Sequence, residues 1–376
     1  MKAVVQISRI LVGVLFIFSG LVKAIDPLGL SYKMEEFFEV WAGQGYFPAV
    51  MNFFLHQAFL LSVLMITLEV VLGVALLVGW RIKLTLRWLF LLMVLFTFLT
   101  SYVLFSGKIR SCGCFGDCIP LTPIQTFSKD ILLLGLIIFM MMKQKYIQPL
   151  FKELLPLAFV MISLVATAYL QMHVINHLPL IDCLPFKKGN NLVELRKMPA
   201  DAIPDVYSYS FIYEKGGKKQ SFTAEQLPDS TWNFVDREQK LIKAGKNNVP
   251  KINDFSLTDS TGADSTEIVL NKSKYYLFFI KDLDGGDEKW LNSFSDLHKQ
   301  AQKEDKPIFV VTANPKKAQQ YFNLIHDFKV QVYTCDGTAI KTAARANPTL
   351  YDMKGPIVQG KYSWADIEQV SKPEKK

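Results

Sequence analysis

The chain has 376 residues, half of them hydrophobic, with a mean hydropathy of +0.20; this is too apolar for an ordinary soluble domain. Its formal charge of +8 would suit a nucleic-acid binder. The excess instead sits in short loops between apolar runs and in the lysine-rich end at residues 372–376, with no interleaving of aromatic and basic residues, so nucleic acid is excluded and the lipid bilayer is the expected partner.

In chain order, apolar runs at residues 4–24, 54–78, 84–105, 127–142 and 154–175 are each long enough to span a hydrocarbon core of about 30 Å. The fourth is the shortest, which places Asp130 at the interface, with Thr126 and Phe127 completing the crossing. The loops bearing Arg81, Lys83 and Arg87, and Lys143, Lys145 and Lys152, are basic; the first loop carries Asp26, Glu35, Glu36 and Glu39 against Lys33. Positive loops stay inside. The reading is an amino terminus in the cytoplasm and a carboxy-terminal half outside, in a bacterium the inner membrane and the periplasm, although Lys108 and Arg110 run against it. No A-x-A cleavage pattern follows the first run, which reads as a retained span.

Two ionisable residues fall inside spans, Arg9 in the first and Glu69 in the second, where an isolated charge costs at least about 2.5–3.5 kcal/mol. They are expected to pair. The pair would either fix helix packing or form a proton or ligand path, and with no third intramembrane carboxylate near them packing is favoured. Gly13, Ser19, Gly20, Gly73 and Gly79 offer small surfaces for close helix approach.

Three of the five cysteines share the segment Cys112-Gly113-Cys114-Phe115-Gly116-Asp117-Cys118, between the third and fourth runs. Glycines let the backbone fold back and bring sulfurs within exchange distance, and the external side allows disulfides to persist. One reading is a shuttle: Cys112 and Cys114 accept electrons from a client, Cys118 resolves the intermediate, and a quinone at the outer edge of the bundle carries electrons onward. Arg110 would favour the thiolate and Asp117 oppose it. The other is a staple, most simply Cys118 with Cys112 or Cys114. Cys183, just past the last run, is a further candidate partner. A metal site ranks last, because the segment has no histidine.

Residues 9–13, 18–20, Lys23, Asp26 and Pro27 resemble the opening of the DoxX family of helical membrane proteins. The Glu69 run and Cys112-Gly113-Cys114-Phe115-Gly116 resemble the related MauE group, associated with maturation of a disulfide-rich periplasmic dehydrogenase. The resemblance covers residues 1–148. It implies a four-helix core, external cysteines and a role in disulfide handling or quinone-linked electron transfer.

Residues 149–176 hold the fifth helix, and 177–250 read as a small β-rich connector. There, 207–213 and 219–223 form a hairpin about the 215–218 turn, and 232–235 and 240–243 form two further elements. From 251 to 370 the pattern alternates: a strand opening at 253–257, a strand at 275–280, a helix at 287–303, a strand at 307–312, a helix at 315–327, a strand at 330–333, a hairpin at 349–362 and a helix from Trp364. This order resembles a thioredoxin-like α/β domain. Asn347, Pro348 and Thr349 resemble its cis-proline loop, where an extended client pairs. The position of its Cys-x-x-Cys pair is taken by Gly285, Gly286, Asp287 and Glu288, so the domain has no redox cysteines of its own. Cys335 is isolated, and 371–376 form a disordered basic tail.

The sequence therefore specifies a membrane all-α bundle, a DoxX/MauE-like four-helix core plus a fifth span, followed by an external α/β thioredoxin-like domain. The functional reading is a membrane thiol/disulfide redox protein serving a periplasmic protein client or membrane complex; its cofactor is left open, with a quinone one candidate. The alternative is a non-enzymatic assembly or interaction protein with a structural disulfide. Transport through Arg9 and Glu69 is weaker, since five spans without an internal repeat lack alternating-access machinery.

Overall fold

The computed structural model describes residues 1–109, 112–113, 115–151, 154–243, 245–283 and 289–371. Its first part is helical: α1 (Lys2–Ala24), α2 (Pro27–Gly43), α3 (Pro48–His56), α4 (Ala58–Val78), α5 (Ile82–Ser106), α6 (Pro123–Met142) and α7 (Leu155–Asn176). Among these, α1, α4, α5, α6 and α7 are long and apolar enough to cross a bilayer. The chain is an integral membrane protein.

The stretch read from sequence as an external loop folds as α2 and α3. Pro27 begins α2 and the Asp26 side chain accepts from the Gly29 N–H at 3.2 Å, a combination that nucleates a first turn. Phe37 and Trp41 then pack against Tyr102 of α5. The run expected to start at residue 54 is divided at Gln57 between α3 and α4.

Glycines set the contact between α1 and α4. A Cβ on Gly73 would lie 2.9 Å from the Gly13 carbonyl oxygen, and one on Gly20 would lie 2.6 Å from Val70. This antiparallel register puts Arg9 opposite Leu77 and Glu69 opposite the Ser19–Gly20 level. Ten helical residues, about 15 Å, separate the two charges. The expected Arg9–Glu69 pair is therefore not formed. Arg9 instead caps the carboxy end of α4, donating to the carbonyls of Leu76 (2.8 Å), Leu77 (2.7 Å) and Gln148 (3.0 Å), which satisfies acceptors a helix end leaves open. Glu69 pairs with Lys23 and accepts from the Ser19 hydroxyl at 3.3 Å. Asp130, expected at the interface, is fully buried against α5; it accepts from Thr100 at 3.1 Å and pairs with Lys129 at 2.8 Å.

After α7 come α8 (Leu192–Arg196) and a three-stranded antiparallel sheet of β1 (Val206–Lys215), β2 (Lys218–Thr223) and β3 (Asn233–Lys243), in the order β2-β1-β3. The two elements expected near its end are one continuous strand, β3. Beyond it lie α9 (Thr266–Leu270), β4 (Tyr275–Ile280), α10 (Leu291–Lys303), β5 (Ile308–Thr312), α11 (Pro315–Gln319), β6 (Gln331–Thr334), α12 (Gly337–Ala343), β7 (Thr349–Lys354), β8 (Ile357–Ser363) and α13 (Glu368–Ser371). The five-stranded sheet runs β6-β5-β4-β7-β8, parallel through β4, β5 and β6 and antiparallel through β7 and β8. Every residue of β4 is buried, with Phe279 in the apolar layer on one face and Phe278 in the layer on the other, as a central strand covered on both sides requires. Phe186 and Leu192, from the segment read as connector, complete the first layer.

The expected strand at 253–257 is reduced to single bridges from Thr258 to Asp264 and Thr334. The helix expected over 315–327 is α11 followed by a π-helical turn, Gln320–Ile325. Helix α12 was not foreseen; the Asp336 side chain caps it by accepting from the Thr338 and Ala339 N–H groups.

Candidate functional site

The cysteine segment follows α5 on the side of the bundle that carries the α/β part. Gly113 and Gly116 both have left-handed backbones, φ 69° and 57°, and the Gly116 N–H donates to the Gly113 carbonyl at 2.9 Å, so the segment turns tightly where side-chain-bearing residues would strain. The turn delivers Cys118 to Cys183, and these two form a disulfide. The staple expected within the segment, Cys118 with Cys112 or Cys114, is thus replaced by a bond to the linker after α7. The linker is fixed from the other side. Asp182 accepts from the buried ammonium of Lys361 on β8 at 2.8 Å, and the Gly189 N–H donates to the Val358 carbonyl.

Cys112 is half-buried against Phe37, Val103 and Ile109. Cys114 and Arg110 lie outside the described residues. Phe115 points down into the bundle, 6.0 Å from the Phe18 ring and with the Lys129 ammonium 4.8 Å over its own ring.

Arg345, between α12 and β7, joins the two halves. Its Nε donates to Asp26 and its Nη2 to Asp117, both at 2.8 Å, while Nη1 donates to the Lys341 carbonyl at 2.7 Å and the guanidinium lies over the Tyr32 ring. Burial opposes the charge, but Asp26 and Asp117 outweigh it and hold Arg345 above the ordinary arginine value. Nearby, Lys341 pairs with Glu35 at 2.7 Å and the Lys281 ammonium donates to the Tyr32 hydroxyl at 2.9 Å. Burial, helped by the Arg345 charge, lowers Lys281 to about 8. The same burial raises Tyr32.

These contacts seat the Asn347–Pro348 end of the α/β sheet on α2 and the cysteine segment. The Asn347–Pro348 peptide bond is cis. Asn347 accepts from the Lys281 N–H at 2.9 Å and donates to the Asp282 carbonyl at 2.7 Å; Thr349 is buried and bonds the Ala346 carbonyl. Gly285, Gly286, Asp287 and Glu288 lie outside the described residues. Two cavities flank Arg345. One of about 620 Å3 is lined by Tyr32, Glu36, Asp117, Cys183, Lys251 and Lys341; the other, about 680 Å3, by Leu28, Phe59, Ile175, Trp290, Asn347 and Trp364. A third, about 110 Å3, lies within the segment beside Cys112 and Pro120.

Cys335 is buried at the end of β6, and burial pushes its thiol up to about 12, which makes it a poor nucleophile. Of the residues that build the site, sequence reasoning named Cys112, Cys118 and Cys183 but not Tyr32, Lys281 or Arg345. Arg345 carried one signal: a lone arginine two residues before Asn347-Pro348.

Residues 1–143 match the family of methylamine utilisation protein MauE and form a MauE-family membrane domain. Residues 207–244, which form the three-stranded sheet, match a domain of unknown function, DUF8463. Protein TlpB of Flavobacterium psychrophilum is 33% identical over 135 residues, 35% of each chain, so this chain spans about a third of the length of the curated relative it matches. No solved structure matches.

Proposed function

We propose that this chain is a membrane thiol–disulfide redox protein that takes electrons from protein clients on the side of its α/β domain, the periplasmic side of a bacterial inner membrane. The observation that carries the reading is the Cys118–Cys183 disulfide, set between two cavities: Cys183 lines the larger and Cys112 lines the pocket behind the segment.

A client thiolate entering the 620 Å3 cavity attacks Cys183 Sγ; the Cys183–Cys118 bond breaks and Cys118 leaves as thiolate. The client's second thiol then attacks the mixed disulfide, so the client departs oxidised and Cys183 is released. The reduced pair is reoxidised by exchange with a Cys112–Cys114 disulfide, and the Cys112/Cys114 dithiol so formed passes two electrons and two protons to a quinone-class acceptor. The α/β domain, read as thioredoxin-like from its sheet order, is the client-docking arm.

A second reading is favoured by Arg345: its bonds to Asp26 and Asp117 lie beside the disulfide, as a staple between domains would require. That reading makes the protein a non-enzymatic assembly partner. Differential alkylation with mass mapping in intact cells, with the quinone pool oxidised and then reduced, separates the two. Cysteines that follow the pool support exchange. A Cys118–Cys183 bond unchanged in both states, with Cys112 and Cys114 unresponsive, sinks the redox reading and leaves the staple.

A further inference from the structure

The sheet β2-β1-β3 has no core of its own. No described side chain of β1, β2 or β3 is buried, although a small sheet is stable only when an apolar face packs against something. One face is aromatic. Phe211 stands opposite Phe222 on β2 and Arg237 on β3, and alternation puts Tyr207, Tyr209 and Tyr213 on that same side. The rings touch across the strands: Tyr213 lies 5.8 Å from Phe222 and 5.6 Å from Phe234, and Phe222 lies 5.3 Å from Trp232. Phe234 is 57% exposed and Tyr209 39%.

The strands give this face charge of one sign. Arg237 lies over the Tyr209 ring at 5.4 Å and Lys215 over the Trp232 ring at 5.9 Å. The carboxylates of the strands, Glu214, Asp236 and Glu238, alternate onto the opposite face. Asp205 and Asp229, outside the strands, accept from the Tyr207 hydroxyl and the Thr231 N–H. Arg237 has no ion pair among the described residues. Strand β3 is also an open edge. It pairs with β1 alone, and among the described residues no backbone hydrogen bond leaves 233–243 on its other side. An edge of eleven residues with unpaired N–H and C=O groups is a template for a further strand. The opposite edge, β2, has six residues and opens with Lys218-Lys219, a short charged form that resists pairing.

We propose that β3 and the aromatic face form a docking site for an extended acidic segment of a protein partner, added as a fourth strand beside β3 with carboxylates at Arg237 and apolar side chains at Phe234. A lipid surface would meet the cations and the rings but not the alternating donors and acceptors of the edge. A second copy paired through β3, like faces together, would set another Arg237 beside the first instead of a carboxylate. The site shares no residue with the cavities at the Cys118–Cys183 disulfide, so it does not rest on the redox reading.

The test uses the oxidised full chain in phosphatidylcholine nanodiscs, with no thiol or quinone present. The probe is a fluorescein-labelled peptide of about ten residues, threonine alternating with glutamate and tyrosine, and its binding is read by fluorescence anisotropy. Control peptides carry lysine for glutamate, or N-methyl groups on every second backbone nitrogen in one phase or the other. The acidic peptide should bind at least about tenfold more tightly than the lysine peptide, and less tightly at high salt. Methylation in the phase that faces β3 should abolish binding, and the other phase should be tolerated. Arg237→Glu and Phe234→Ser, both at exposed positions that leave the fold intact, should each weaken binding at least about fivefold. Equal binding of the acidic and lysine peptides, no binding of either, or the same affinity in both methylation phases overturns the proposal. So do dimers that Phe234→Ser dissociates, which mark a second copy as the occupant, and binding to phosphatidylglycerol vesicles that both variants abolish, which marks a lipid surface.

Discussion

Replacing Arg345 with methionine should release the α/β domain from the cysteine segment. The side chain is 5% exposed and its two carboxylate partners sit on different elements, Asp26 at the start of α2 and Asp117 next to Cys118. Breaking a buried ion pair by removing one partner costs about 3–5 kcal/mol. The lower end applies, since Asp26 keeps its bond from the Gly29 N–H and Asp117 is 41% exposed and partly screened. A loss of about 3 kcal/mol lowers the docked population relative to the undocked one by roughly 150-fold. The remaining contacts do not replace it: the Lys341–Glu35 pair is partly exposed and worth at most about 1 kcal/mol. Hydrogen exchange on the full-length variant in detergent, with the disulfide intact and then reduced, should show faster exchange in α2 and at Gly116 while β4 and β5 keep their protection. Unchanged exchange in α2 after reduction would refute the reasoning.

Two further outcomes follow from the packing and the electrostatics. Gly73→Ala should destabilise the bundle by about 1–3 kcal/mol, read as a lower unfolding temperature, because the new Cβ meets the Gly13 carbonyl oxygen and the Ile17 backbone nitrogen, which cannot rotate away. Docking should tighten as pH rises from about 8 towards the ordinary lysine value: Lys281 titrates near 8 when docked, so over that window the undocked state binds more protons and alkali removes a charge that only the docked state must bury. Exchange protection of α2 compared at pH 7 and pH 9 checks the sign after correction for the intrinsic rate, and Lys281→Met should abolish the difference.

The spans were legible because a bilayer imposes length and hydropathy on single segments, and the central strands because a fully covered strand must be apolar throughout. The buried pairings were not. Arg9 and Glu69 are the obvious charges of the first two spans, yet partner choice depends on a register set by Gly13, Gly20 and Gly73, and sequence spacing within one helix says nothing about register between two. Lys23 read as the end of a span, whereas its long side chain reaches back along α1 to Glu69. Asp130 read as interfacial because its run is short; what decides its burial is the facing Thr100, thirty residues away. Helices α2 and α12 escaped for a different reason. Both are started by a side-chain cap, Asp26 and Asp336, and their faces make sense only once the two halves of the chain are in contact.

That contact bears on how exchange could proceed at all. If Cys118–Cys183 alone held the cysteine segment in place, the first electron-accepting step would also release the segment, and the thiols would drift apart while waiting to be reoxidised. Arg345 removes this conflict. It grips Asp117, the residue before Cys118, while the Asp182–Lys361 pair and the Gly189–Val358 bond hold the stretch that carries Cys183 against β8. A clamp of about 3 kcal/mol favours the arrangement that holds the two reduced cysteines near each other roughly 150-fold over a segment without it, so the closing step starts from a more preorganised pair. The ion pairs and the disulfide therefore act in different halves of the cycle. An Arg345→Met protein, reduced chemically and freed of reductant, should re-form Cys118–Cys183 more slowly than the wild type, which a single-turnover alkylation time course would resolve and which a clamp with no part in closure would not produce.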